Sequence, residues 1–145
     1  MVHIRFNHME LTVPKGTLTP EFRAEVRAFY GDVLGWAVTD TEIVGGLQLL
    51  LRPDETQFIL VAESSRPLHA PGYDHLGLLC DTREDVDAIL AQCEAVQARD
   101  DRLQLKYYED LKPGTVVVHA FYVKYLLPIW FDVQVIERVA PAPAS

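Results

Sequence analysis

The sequence predicts an α+β fold made of two copies of a β-α-β-β-β unit, and three observations predict it. The stretch Asn7-His8-Met9-Glu10-Leu11-Thr12-Val13 returns in kind as Asp74-His75-Leu76-Gly77-Leu78-Leu79-Cys80, each a short apolar strand with a histidine near its start. Each is followed by a loop and then by a helix-like run. The two histidines stand 75 − 8 = 67 residues apart, close to half of a 145-residue chain. Histidines in equivalent places of a repeated unit suggest a shared site.

A chain of this length fits one compact domain or two small units fused around one core. Its 49% hydrophobic and 23% charged residues are ordinary for a globular protein and supply a sizeable core. A formal charge of −8 argues against a nucleic-acid partner, which needs a basic stripe to neutralise phosphates. The start, Met1-Val2-His3-Ile4-Arg5-Phe6, lacks the apolar run of a secretory signal, and no apolar stretch is long enough to span a bilayer. Cys80 and Cys93 form no CxxC pair, so neither a disulfide framework nor a thiolate zinc site is indicated. The expectation is a cytoplasmic protein without a membrane or nucleic-acid partner.

In order, residues 3–13 alternate as a half-buried strand, with His8, Glu10 and Thr12 on one face. Pro14 and Gly16 end it. Thr19-Pro20-Glu21 is a helix start, with Thr19 as N-cap and Pro20 at the first helical position. Phe22, Val26, Phe29, Tyr30, Val33 and Leu34 recur at three- and four-residue steps as one apolar face, and Gly35 closes the helix. Residues 36–43 and 47–51 read as strands around a Gly45-Gly46 turn, and residues 56–62 as a fourth. The first module is thus 1–63, and the proline-bearing segment 64–72 is a linker.

The second module, 73–139, repeats the order. A strand at 75–80 precedes a helix from Asp81-Thr82 to about Gln97, and strands follow at 103–108, 115–125 and 129–139. Pro113-Gly114 and Leu127-Pro128 mark the bends. The proline- and alanine-rich tail 140–145 is expected to be disordered.

His8-Met9-Glu10-Leu11-Thr12-Val13 with Phe29-Tyr30-Gly31-Asp32-Val33-Leu34-Gly35-Trp36 resembles the opening of the vicinal oxygen chelate superfamily. That group includes glyoxalase I, extradiol dioxygenases, methylmalonyl-CoA epimerase, fosfomycin-modifying enzymes and bleomycin-binding proteins. The resemblance runs from about His3 to Glu137. It implies that the two modules form an incomplete barrel around a central cavity holding a divalent metal, with ligands from the first and last strand of each module. Carried over, these places fall on His8, His75 and Asp132. The fourth falls on Leu60, which cannot ligate, and Gln57 is the nearest polar residue. Two features depart from the family pattern: Lys124-Tyr125-Leu126-Leu127-Pro128 stands where a DPDG turn is usual, and Asp132 where glutamate is usual. The resemblance also implies a homodimer.

Two histidines and a carboxylate with open positions are a ligand set for Fe(II), and the same donors suit Mn, Ni or Zn. Such an ion would take a small substrate with neighbouring oxygen atoms. The missing fourth ligand favours dioxygenase-like or lyase chemistry over thiol-conjugate isomerisation. Glu10, on the His8 face, and Tyr122, whose place ten residues before Asp132 resembles that of a pocket tyrosine in extradiol dioxygenases, are the candidate proton-handling groups. His119 lies near Tyr122, and strand packing is the simpler reading for both. The rival reading is a metal-free protein of the bleomycin-resistance type that captures an aromatic compound. An acyl-CoA epimerase is a third.

Overall fold

The computed structural model describes residues 1–139; the 140–145 tail lies outside the described residues. The chain divides into two compact units between His69 and Ala70. The first contains β1 (His8–Pro14), α1 (Pro20–Val26) running on as a π-helical turn (Arg27–Gly31), β2 (Ala37–Ile43), β3 (Gly46–Arg52) and β4 (Phe58–Ser64). The second contains β5 (His75–Leu79), α2 (Arg83–Gln97), β6 (Gln104–Tyr107), β7 (Val116–Lys124) and β8 (Trp130–Arg138). Both units therefore have the β-α-β-β-β order. Each forms an open four-stranded sheet of one plan, β1-β4-β3-β2 and β5-β8-β7-β6. In each, the first and last strands are parallel and the remaining pairs antiparallel. Among the described residues no helix is long and apolar enough to cross a membrane.

Local chemistry sets the element boundaries. Thr19 Oγ1 accepts from the Phe22 N–H at 3.1 Å with Pro20 at the first helical position, and Thr82 Oγ1 accepts from the Asp85 N–H at 3.1 Å. Both hydroxyls satisfy a donor that the first helical turn leaves unpaired. The β2–β3 turn needs positive φ at Gly45 (110°) and Gly46 (116°), which glycine adopts without a Cβ clash. Alternation alone extends the first strand back to residue 3, whereas β1 begins at His8. The reason lies in its partner: Phe58, the first residue of β4, pairs with His8, so residues 1–6 have no strand to bond.

Alternation gives each sheet two faces. In the first unit Leu11, Val61 and Leu49 pair across three strands and are fully buried, and Ile59 and Leu51 extend that face. In the second, Phe121, Val123, Phe131, Val133 and Val135 are buried on the face carrying His119, which bonds to α2. His75, Gly77, Lys106, Tyr122, Asp132 and Gln134 occupy the opposite face by the same register.

A charged cluster fastens α2 to its sheet. Arg83 contacts Glu137 on β8 and Asp110 before β7, the latter at 2.8 Å. His119 Nε2 lies 2.6 Å from Asp87 Oδ1 and its Nδ1 2.7 Å from Asp110 Oδ1. Arg83 Nη1 is also 2.9 Å from Nδ1, but that nitrogen cannot accept from arginine while donating to Asp110. Both carboxylates accept only, so the imidazolium satisfies both contacts. Burial opposes its charge, but the bonds to Asp110 and Asp87 outweigh burial and the Arg83 charge and hold its pKa above 6.5.

Two outcomes follow from this packing. Phe131→Ala, at a fully buried site, should cost about 3–5 kcal/mol in urea denaturation. Because the folded pKa of His119 exceeds the unfolded one, its contribution is full below about pH 6.5 and lost as pH rises through the raised value. Urea midpoints should therefore fall across that window in the wild type, with a shallower fall in His119→Gln.

Candidate functional site

The parallel β5–β8 pairing places Gly77 opposite Asp132, and the antiparallel β7–β8 pairing places Tyr122 opposite Asp132. His75, two residues before Gly77, shares their face. His75 Nε2 is 3.8 Å from Asp132 Oδ2 and 3.4 Å from the Tyr122 hydroxyl, and the two rings stand 4.7 Å apart. Three of the residues singled out in the sequence are thus gathered on one face of one sheet. Gly77, opposite Asp132, leaves room for the Gln134 amide, since a Cβ there would come within 3.2 Å of Gln134 Nε2.

The protonation of His75 follows from its partner. Nδ1 is 2.8 Å from the carbonyl oxygen of Tyr73, which can only accept, so Nδ1 carries the proton. In the neutral ring Nε2 is then a lone pair that accepts from the Tyr122 hydroxyl at 3.4 Å and faces Asp132. Asp132 is only 8% exposed, and its Oδ1 has no hydrogen-bond partner among the described residues. Burial pushes its carboxyl pKa up, partly offset by His75. A lone pair and an unpaired buried carboxylate 3.8 Å apart do not hydrogen-bond to each other. Such a pair suits a proton or a cation between them. An N–H anchored on a carbonyl is also how ligating histidines are commonly oriented.

His8 repeats this arrangement in the first unit. Its Nδ1 is 2.8 Å from Asn7 Oδ1, while Asn7 Nδ2 donates to the Thr56 carbonyl at 3.0 Å, which fixes the amide so that its oxygen faces the ring. Nδ1 therefore carries the proton and Nε2 is left for a ligand. The ring stacks on Phe58 at 4.7 Å with a 4° interplanar angle, and Arg52 covers the same phenyl at 4.9 Å. Glu10, exposed on the same strand, pairs in register with Leu60. In the module plan Leu60 occupies the place that Asp132 has in the second unit, since each pairs with the residue two beyond the histidine. Gln57 precedes β4 and donates its backbone N–H to Asp54 at 2.9 Å, so it sits in the turn rather than on the sheet. Within neither unit do three His, Cys, Asp or Glu side chains gather as a metal cluster among the described residues.

Lys106, Tyr73 and Gln48 carry no signal in the sequence, whereas Tyr108 is legible there only as an aromatic pocket-wall or core residue. Tyr108 packs on Tyr122 at 4.7 Å, and Lys106 Nζ lies 4.2 Å above the Tyr73 ring and 5.3 Å from that of Tyr108. Burial, the nearby Asp132 charge and Tyr108 raise the Tyr122 pKa, so its hydroxyl stays protonated at neutral pH and acts as a donor. Gln48, on β3, has a buried Oε1 with no partner among the described residues. Strand register decides which way these residues face, and only Gly77 and the repeated histidine could have hinted at it. His119 points to the helix, away from Tyr122, as strand packing requires.

Against known proteins, the model of the Glyoxalase/Bleomycin resistance protein/Dioxygenase superfamily matches residues 23–111. No curated protein matches the chain in sequence. Solved structures share the fold. The fosfomycin resistance protein FosX from Listeria monocytogenes, complexed with Mn(II) and sulfate, has a TM-score of 0.62 at 13% identity, over 97% of this chain and 94% of that one. A glyoxalase/bleomycin resistance protein from Albidiferax ferrireducens T118 gives 0.58 at 13% identity, over 90% and 97%. A virulence protein from Salmonella typhimurium gives 0.57 at 18% identity, over 93% and 98%. At these identities the likeness concerns the fold. The family match spans more than half of the sequence, and the fold agrees with it: this chain belongs to the Glyoxalase/Bleomycin resistance protein/Dioxygenase superfamily.

Proposed function

We propose that this chain is a metal-dependent enzyme whose substrate chelates through neighbouring oxygen atoms, with dioxygenase-like or lyase chemistry. The observation that carries the reading is the pairing of His75 Nε2, made a lone pair by the Tyr73 carbonyl, with the buried, unpartnered carboxylate of Asp132. Imidazole and carboxylate are donors for Fe, Mn, Ni or Zn, so the residues fit a divalent cation. His75 and Asp132 would hold it. His8 is the first unit's candidate ligand in this proposal, because its equivalent place and anchored Nδ1 give its Nε2 the same lone pair. The Mn(II) of FosX, a protein of the same fold, supports the reading without selecting the metal.

A bound divalent ion would supply Lewis acidity to the chelating oxygens. The chain's own residues supply the rest. Tyr122, kept protonated, donates a hydrogen bond to a substrate oxygen beside His75. Tyr73 holds the His75 tautomer through its carbonyl. Glu10 is proposed as the proton acceptor, being an exposed carboxylate on the His8 strand. Leu60 favours a second reading, a metal-free binder of aromatic compounds, because it puts an apolar side chain at the fourth ligand place. A homodimer and a cytoplasmic location complete the proposal.

Elemental analysis of protein purified without chelator tests the choice. Near-stoichiometric metal is expected in the wild type, with loss in His75→Ala, Asp132→Asn and His8→Ala. A metal-free wild type that takes up none of the four added ions would hand the site to the binder reading. Compared as metal-free proteins, Asp132→Asn should unfold at no lower urea than the wild type. A raised carboxyl pKa means the ionised form is disfavoured by folding at neutral pH, and the amide removes that charge.

A further inference from the structure

Lys106 is a charged group on the site face that nothing above uses. It pairs with Tyr122 across β6 and β7, and Tyr122 pairs with Asp132 across β7 and β8, so the three form one row on the same face. Its ammonium is held between the Tyr73 and Tyr108 rings, at 4.2 and 5.3 Å. Among the described residues no carboxylate pairs with it. Ring faces attract the charge but accept little from its three N–H donors, which leaves them capacity for an oxygen acceptor. Asp132, buried with an unpartnered Oδ1, stands at the other end of the row in register.

We infer that Lys106 is a specificity-determining residue that binds an anionic oxygen group of the substrate on the face that carries His75, Tyr122 and Asp132. The inference rests on the reading of this face as the ligand site and adds the substrate's charge. The Tyr73 ring under the ammonium belongs to the residue whose carbonyl anchors His75, and the Tyr108 ring packs on Tyr122, so the same two tyrosines link Lys106 to the proposed ligand side chains. A carboxylate or a phosphonate satisfies the ammonium equally, so the class is a small organic oxyanion.

The test compares benzoate with the neutral isostere benzamide, on chelator-treated protein so that no preference can come from carboxylate–metal contact. Binding is read by calorimetry for wild type, Lys106→Gln and Lys106→Arg, with folding checked by circular dichroism. The wild type should prefer benzoate by about tenfold or more, the preference should fall to near parity in Lys106→Gln, and Lys106→Arg should keep it. Added salt should weaken the preference. A wild type that binds neither compound at millimolar concentration overturns the assignment, as does a preference that survives Lys106→Gln. Metal content of the same preparations before chelation separates the two proposals. Metal retained in Lys106→Gln with no anion preference in the wild type removes only the Lys106 assignment. A Lys106-dependent preference in a protein that never holds metal removes only the metal centre.

Discussion

The parallel pairing of the first and last strand in each module is the constraint from which the site geometry follows. In the second unit it sets His75 two residues from the position opposite Asp132, so that imidazole and carboxylate project from neighbouring strands on one face. A shift of β8 by one residue would turn Asp132 toward α2, beside Phe121 and Val123, and move Phe131, Val133 and Val135 to the opposite face. Those apolar residues therefore hold the register through the cost of the alternative. The same pairing in the first unit sets Glu10 opposite Leu60, so one plan produces two chemically different faces.

The two faces of the second sheet divide polar work between them. On the helix side, Arg83, Asp87, Asp110, His119 and Glu137 are each bonded to an opposite charge within the cluster. On the other side, the Asp132 carboxylate is incompletely bonded and Lys106 meets only aromatic rings. Buried polar groups are costly unless satisfied. The fully bonded network thus accounts for structure, and the incompletely bonded face is the one we propose as the ligand site. This contrast also explains why His119, three residues from Tyr122, has no part in the proposed chemistry.

Paired histidines of similar orientation arise from different anchors. His75 is fixed by a backbone carbonyl, and His8 by the side-chain amide of Asn7, itself fixed by Thr56. Both leave Nε2 with the lone pair. The two units thus present the same nitrogen on different supporting oxygens.

The sequence by itself determined the α+β class, the two β-α-β-β-β modules, the helix starts at Thr19 and Thr82, and the family resemblance carried by residues 29–36. These are local: caps, glycines at turns and apolar periodicity act within a few residues, and the repeat makes each module corroborate the other. It also singled out His75 from the repeated strand, and Asp132 and Tyr122 from the family resemblance. Only the tertiary structure decided that these three share a face, that Lys106, Tyr73 and Tyr108 join them, and that β1 starts at His8 rather than near residue 3. Facing and strand ends depend on which residue lies opposite across a hydrogen-bonded pair. That partner comes from tens of residues away, where no periodicity within one strand can specify it.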